Sequence, residues 1–270
     1  MAKKAESLLY VFIYLAVSMA ANILVTIARP LLYAVRGYFE KTVESGEILE
    51  VFLRGLETQN LNPVTVTLLS SALALLFFWV IIKSRRIKLS RYLHTAKMGF
   101  SDVAASAFLA FGLFVVSTII ISLPVFLRFI PDYNGIMNTV MEGNIWFLLI
   151  AIGILGPIFE ELIYRVVILG ELAHSFSFFW ANLIHAVVFG AVHGNPIQAV
   201  YAGVVGFALG YIYKKSGSVY IVILVHIFFN AGNILAVEYM GSAGVFSYYL
   251  AAGAASLLAG WLILKKRGRA

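Results

Sequence analysis

The sequence contains no cysteine and few charged residues. Of its 270 residues, 12% are charged and 61% are hydrophobic, and the mean hydropathy is +0.93. Without cysteine the chain cannot form a disulfide, a thiolate metal site or a cysteine nucleophile, so any metal would have to be bound by histidine and carboxylate side chains. A composition this apolar excludes an ordinary soluble domain and predicts an integral membrane protein.

Eight segments are long and apolar enough to be predicted as transmembrane helices. They cover residues 8–28, 64–82, 103–123, 145–168, 176–193, 196–213, 219–237 and 244–264. The first segment follows two lysines as a signal peptide would, but its 21 residues exceed the apolar core of a signal peptide, about 7 to 15 residues, and we expect it to be retained. The predicted fold class is an all-α polytopic membrane protein, with residues 1–270 forming one domain.

Basic residues are unevenly distributed between the two sides of these spans. With the N-terminus placed inside, the inner segments hold 15 Lys and Arg residues and the outer segments hold 5. The positive-inside rule then predicts that both termini are cytoplasmic. The net charge of +7 is thereby explained by topology, and no nucleic-acid partner is expected.

The segment between the first two spans carries an amphipathic pattern. Its apolar residues recur at helical spacing among glutamates, and they are Ile48, Leu49, Phe52, Leu53 and Leu56. This pattern predicts a short helix on the membrane surface that caps the bundle, with gating of a substrate as an alternative role.

Two adjacent glutamates follow a long uncharged run. Residues 145–159 carry no charge, and Glu160 and Glu161 come directly after them. An ionised side chain near the bilayer centre costs at least about 2.5 to 3.5 kcal/mol, so both carboxylates need partners or a function. Glu161 and Arg165 are four residues apart and can pair on one helix face, whereas Glu160 points about 100° away. Glu160 is therefore predicted to be the free carboxylate.

Polar side chains on two later helices complete a candidate site. His226 and Asn230 are four residues apart on an apolar helix, and His193 ends another helix just before Gly194. A carboxylate beside imidazoles in a low-dielectric cavity can act as a general base on water, and an imidazole with an amide can stabilise an oxyanion. This combination predicts peptide-bond hydrolysis without a covalent intermediate, with catalytic residues Glu160, His193, His226 and Asn230.

The remaining histidines and the Glu161–Arg165 ion pair are not assigned catalytic roles. His185 is expected to be a packing residue, and no role is assigned to His94 or His174. Glu161 and Arg165 are expected to support the site as a structural pair.

These residues resemble the motifs of the type II CAAX prenyl endopeptidases and their relatives in the CAAX protease and bacteriocin-processing family. That family carries EExxxR, FxxxH and HxxxN motifs in this order, and the matching residues are Glu160, Glu161, Arg165, Phe189, His193, His226 and Asn230. The resemblance covers about residues 145–240. It departs from the family at Tyr164 and Val166, where the first motif usually continues as Phe-Arg-Gly.

The resemblance implies that Glu160 and His193 activate the water, that His226 and Asn230 hold the oxyanion, and that Glu161 and Arg165 shape the site. It also implies a substrate, a prenylated protein whose C-terminal CAAX sequence loses its last three residues. Relatives that act on bacteriocins or other peptides leave a non-prenylated substrate as an alternative.

Three other interpretations compete with this one. A zinc enzyme would use Glu160, His193 and His226 as ligands with water as the fourth, but we favour a metal-free mechanism because asparagine is a poor zinc ligand and suits an oxyanion. A proton-coupled transporter would also use intramembrane glutamate and histidine, but it predicts internal repeats, and the first three spans contain no ionisable residue. An inactive scaffold should have lost at least one of the four catalytic candidates.

Overall fold

Helices make up almost all of the regular structure in the computed structural model, which describes residues 2–57, 63–86, 94–240 and 246–267. In chain order the helices are α1 (Ala2–Phe39), α2 (Ile48–Glu57), α3 (Pro63–Ser84), α4 (Phe100–Ile121), α5 (Ile130–Met141), α6 (Ile145–Ala173), α7 (Phe178–Ala191), α8 (Pro196–Ser216), α9 (Val219–Met240) and α10 (Phe246–Arg267). A 3₁₀ helix, Pro124–Phe129, precedes α5.

Within the described ranges, six helices are long and apolar enough to cross a membrane, namely α1, α3, α4, α6, α8 and α9. This finding confirms the predicted all-α, multi-pass membrane fold. The eighth predicted span is covered by α10, a 22-residue helix, although residues 244 and 245 lie outside the described part of the chain.

The fifth predicted span was wrong in length. The prediction placed it at 176–193, but α7 has only 14 residues, about 21 Å at 1.5 Å per residue, which is shorter than a hydrocarbon core of about 30 Å. A full-length span would have carried His193 far from Glu160. Because α7 is short, its C-terminal end can lie at the same depth as the glutamates of α6.

The first predicted span also differs from the structure, because α1 continues beyond residue 28 to Phe39 with Pro30 inside it. The predicted surface helix is confirmed as a helix, α2, and it packs against α1. Gly55 of α2 lies so close to Pro30 that an added Cβ would come within 2.9 Å of the proline ring. The membrane-surface position of α2 and the cytoplasmic orientation of the termini stay predictions.

A partly buried ion pair joins α1, α3 and α6 at one end of the bundle. Arg85, just after α3, contacts Glu171 of α6 at 3.0 Å and the Tyr14 hydroxyl of α1 at 3.3 Å. Burial acts to lower the pKa of Arg85, but the hydrogen bond and charge of Glu171 raise that pKa above its ordinary value. This cluster fixes α1 and α3 against α6.

Glycines allow α7 and α8 to pack closely, and this contact positions Phe189. Gly206 of α8 faces the Phe189 ring, and a Cβ at that position would lie 2.7 Å from the ring. Phe189 is 2% exposed. The missing side chain at Gly206 therefore makes room for an aromatic ring that contacts the candidate site.

Replacing Gly206 by alanine should destabilise the protein, because the added methyl group must displace the Phe189 ring or α8. Overpacking of this kind costs about 1 to 3 kcal/mol. Thermal unfolding in detergent measures the effect. The matched control is Gly232→Ala in α9, where nothing lies within 4 Å of the added Cβ. Equal unfolding temperatures for the two variants would contradict the proposed packing.

Candidate active site

The glutamates lie on a helix with two irregular segments. Within α6, Leu149–Leu155 and Leu162–Leu169 are π-helical, and Gly156–Glu161 between them is α-helical. Single π-helical turns inside α-helices occur frequently at functional sites, because the wider turn shifts the backbone hydrogen-bond register. The two glutamates are therefore the last residues of the α-helical segment that lies between the two π-helical segments.

The irregular backbone leaves one carbonyl without its usual partner. The Gly156 N–H donates to the Ala151 carbonyl instead of that of Ile152. The next residue that could reach Ile152 is Pro157, which has no N–H. The Ile152 carbonyl is thus available to a side chain from another helix.

Asn230 of α9 uses this carbonyl. Its Nδ2 donates to the Ile152 oxygen at 3.0 Å, which satisfies a buried acceptor and fixes α9 against α6. An amide nitrogen carries two N–H groups, and this contact uses one of them. The second remains for the predicted role as an oxyanion donor.

Glu161 and Arg165 form the predicted pair in the core of the bundle. Both side chains are fully buried, and Arg165 Nε lies 2.9 Å from Glu161 Oε2. The guanidinium also stacks over the Phe189 ring, with 4.4 Å between the guanidinium carbon and the ring centroid. A cation over an aromatic face is stabilised by the ring quadrupole, most strongly when water is excluded.

Glu161 also holds His226, a contact that the sequence analysis did not predict. His226 Nδ1 lies 2.6 Å from Glu161 Oε1. Because the carboxylate is paired with Arg165, we assign the proton of this hydrogen bond to Nδ1, which donates it. The other ring nitrogen, Nε2, faces Glu160 Oε2 at 3.7 Å.

Glu160 and His193 line one cavity of about 520 Å³. His193 Nδ1 lies 2.8 Å from the Phe189 carbonyl, and because a carbonyl only accepts, Nδ1 must carry the proton. In the neutral ring Nε2 then keeps its lone pair. The structure thus brings together both residues that were predicted to activate water.

The turn after α7 fixes the position of His193. Gly194 adopts a positive φ of 69°, a conformation that favours glycine. The Asn195 side chain accepts from the N–H groups of Ile197 and Gln198 and begins α8. A helix end, a glycine turn and a capped helix start therefore hold the imidazole at the cavity.

The ring contacts of Phe189 and a polar wall of the cavity were not predicted from the sequence. The Phe189 ring lies edge-on to Tyr164, His193 and His226, with centroid distances of 4.9, 5.2 and 6.1 Å. The wall comes from α1 and α3 and includes Ser18, Asn22, Thr67, Ser70 and Ser71. Helical spacing of these polar residues within apolar spans was the signal that could have revealed the wall.

The predicted packing role of His185 agrees with its position. Its side chain is fully buried and stacks on Phe189 at 6.4 Å between ring centroids. His174 Nδ1 contacts the Gly170 carbonyl of its own helix at 2.6 Å.

The donor arrangement does not fit the alternative zinc site. Across the residues that the structure describes, no group of three or more His, Cys, Asp or Glu side chains is placed to hold a metal ion. His226 presents Nδ1 to Glu161 and Nε2 to Glu160. Glu160, His193 and His226 are thus not grouped as metal ligands in the described part of the chain, and the metal-free mechanism stays a prediction.

Comparison with known proteins agrees with the motif resemblance. Residues 142–232 match the family described as type II CAAX prenyl endopeptidase Rce1-like. This match confirms the resemblance, and it contains the glutamates of α6, His193 and the His226–Asn230 pair. No solved structure gives a significant match to the chain.

A curated relative is the protein named "Putative membrane peptidase YdiL" from Bacillus subtilis (strain 168). The two are 34% identical over 83 residues, which cover 31% of this chain and 34% of the relative. The matched part thus spans about a third of each protein.

Arg165→Met should strongly destabilise the protein, because it leaves Glu161 as a buried charge without its cation, a change that costs about 3 to 5 kcal/mol. Adding Glu161→Gln should recover most of the lost stability. Thermal unfolding in detergent measures both variants. The control is Arg54→Met, which breaks an exposed pair with Glu50 of the same i,i+4 spacing and should cause no measurable change. Equal effects of Arg165→Met and Arg54→Met would contradict the assigned pair.

Proposed function

We propose that the protein is an intramembrane endopeptidase in which Glu160 activates a water molecule. The observation that carries this proposal is the division of the two carboxylates. Glu161 is fully buried and held by Arg165 and His226, whereas Glu160 lines the cavity with His193. A base must reach the water whose proton it removes, and of the two acids Glu160 is placed to do so.

The proposed reaction begins with a water held between Glu160 and the Nε2 lone pair of His193. Glu160 removes a proton from this water, and the oxygen attacks the scissile carbonyl carbon. Attack forms a tetrahedral intermediate with an oxyanion. The C–N bond then breaks, and the proton on Glu160 moves to the leaving amine, which yields a carboxylate product and an amine product.

His226 and Asn230 are the proposed oxyanion donors. Asn230 offers its second N–H, and His226 can offer Nε2–H only when its ring is doubly protonated, because Nδ1–H is committed to Glu161. Charge balance supports this form. Two ionised glutamates and Arg165 sum to one negative charge, and an imidazolium at His226 makes this cluster of four side chains neutral, which a low-dielectric environment favours.

The proposed substrate is a prenylated protein with a C-terminal CAAX sequence, from which the last three residues are removed. The match of residues 142–232 to type II CAAX prenyl endopeptidases supports this choice. The cavity also suits a partly apolar substrate, since Leu15, Met19 and Ile163 line it beside the polar residues. A non-prenylated peptide is the alternative substrate within the same reaction.

The transporter alternative has less support. It predicts interrupted helices in corresponding positions of two halves of the chain. In the described part of the chain, π-helical segments occur in α6 and in none of α1, α3 or α4.

Glu160→Gln should abolish cleavage of a farnesylated CAAX peptide by the purified protein, because an amide cannot remove the proton of water. Peptide release measured by mass spectrometry gives the readout, and unchanged thermal unfolding shows that the variant is folded. Glu142→Gln, which alters an exposed glutamate outside the cavity, is the matched control and should retain full activity. Cleavage by Glu160→Gln at the rate of the control would refute the mechanism.

Prolonged dialysis against excess chelator should leave cleavage of the same peptide unchanged, because no step uses a metal. Complete loss of activity that returns on adding zinc would contradict the metal-free mechanism.

The same assay with a non-prenylated peptide tests the substrate. Cleavage of that peptide alone would reject prenyl recognition and retain the peptidase.

A further inference from the structure

One wall of the cavity that Glu160 and His193 line has no role in the proposed reaction. It is built from one face of α1 and one face of α3. The lining positions run from Leu15 to Asn22 and from Thr67 to Ala74, and in each helix they follow the i, i+3, i+4, i+7 spacing of a single face. Both helices thus present an ordered strip of side chains to the candidate catalytic residues.

Two hydroxyl groups of this wall are arranged as hydrogen-bond acceptors. Ser18 Oγ donates to the Tyr14 carbonyl at 3.0 Å, and Ser70 Oγ donates to the Val66 carbonyl at 2.8 Å. Because the hydroxyl proton is used within the helix, the oxygen keeps its lone pairs for another donor. The wall therefore offers acceptors to a bound molecule.

The charges of the side chains that line the cavity also favour a ligand with neutral hydrogen-bond donors. Among the described residues that line it, none is lysine or arginine, and Glu160 is acidic. Neutral N–H donors of a ligand would match the hydroxyl oxygens of the wall. A peptide main chain supplies such donors at regular intervals.

The length of the wall suits a short extended segment. From its first to its last lining residue, each helix face covers about 10.5 Å at 1.5 Å per residue. An extended chain advances about 3.3 Å per residue, so roughly three residues fit along this length.

We propose that the Ser18 and Ser70 hydroxyl oxygens accept hydrogen bonds from main-chain N–H groups of an extended peptide bound beside Glu160. This inference rests on the proposed function, since it takes the cavity to be the place where the peptide is cleaved. The two serines are substrate-binding residues.

Peptides N-methylated at one amide at a time test the proposal, because N-methylation removes a single N–H. Binding of fluorescent CAAX peptides is measured with the full-length Glu160→Gln protein, which binds without turnover. Adding Ser18→Ala or Ser70→Ala should weaken binding of the unmodified peptide about 2- to 10-fold each, the range expected for one hydrogen bond. Methylating the matching amide should weaken binding by a similar factor when the serine is present and cause no further loss in the alanine variant.

The control is Ser117→Ala in α4, because Ser117 Oγ also donates within its own helix, to the Phe114 carbonyl at 2.8 Å, but lies outside the cavity. Ser117→Ala should leave unchanged both the affinity for the unmodified peptide and the loss of affinity that each N-methylation causes. The inference is overturned if each N-methylation weakens binding by the same factor with and without the two serines, or if no peptide binds. If N-methylation weakens binding only when the matching serine is present, but the wild-type protein cleaves no peptide, the binding inference stands and the proposed function fails.

Discussion

The buried contact among Arg165, Glu161 and His226 is the interaction on which the rest of the site depends. A carboxylate inside a membrane protein is stable only when its charge is compensated, and Glu161 meets this requirement on both oxygens, with Arg165 at 2.9 Å and His226 at 2.6 Å. The contact between Glu161 and His226 joins α6 to α9 and fixes the orientation of the imidazole. With Glu161 fully engaged, its neighbour Glu160 is left facing the cavity.

The backbone of α6 and the short helix α7 position the remaining two residues of the site, Asn230 and His193. Pro157 and the π-helical turn leave the Ile152 carbonyl to Asn230, so the same two helices are joined a second time. Phe189 connects α7 to this centre by stacking on Arg165, and the Phe189 carbonyl orients His193. The three motifs are thus parts of one packed unit, because Glu161 holds His226 and Arg165 stacks on Phe189.

The sequence was sufficient for features that depend on spacing and composition. Four-residue spacing predicted the Glu161–Arg165 pair, and long apolar runs predicted the multi-pass helical fold. It was insufficient where a contact between distant helices decides the outcome. The link from Glu161 to His226 joins residues 65 apart, and α7 packs against α8. Apolar periodicity reveals neither of these contacts.

The central claim is that two adjacent glutamates perform different tasks, one chemical and one structural. The most direct measurement compares Glu160→Gln with Glu161→Gln in the same preparation, recording both the rate of peptide cleavage and the temperature of unfolding. We expect Glu160→Gln to lose cleavage and keep the wild-type unfolding temperature, whereas Glu161→Gln should lower the unfolding temperature. Retained cleavage in Glu160→Gln, together with normal stability and no cleavage in Glu161→Gln, would contradict this claim.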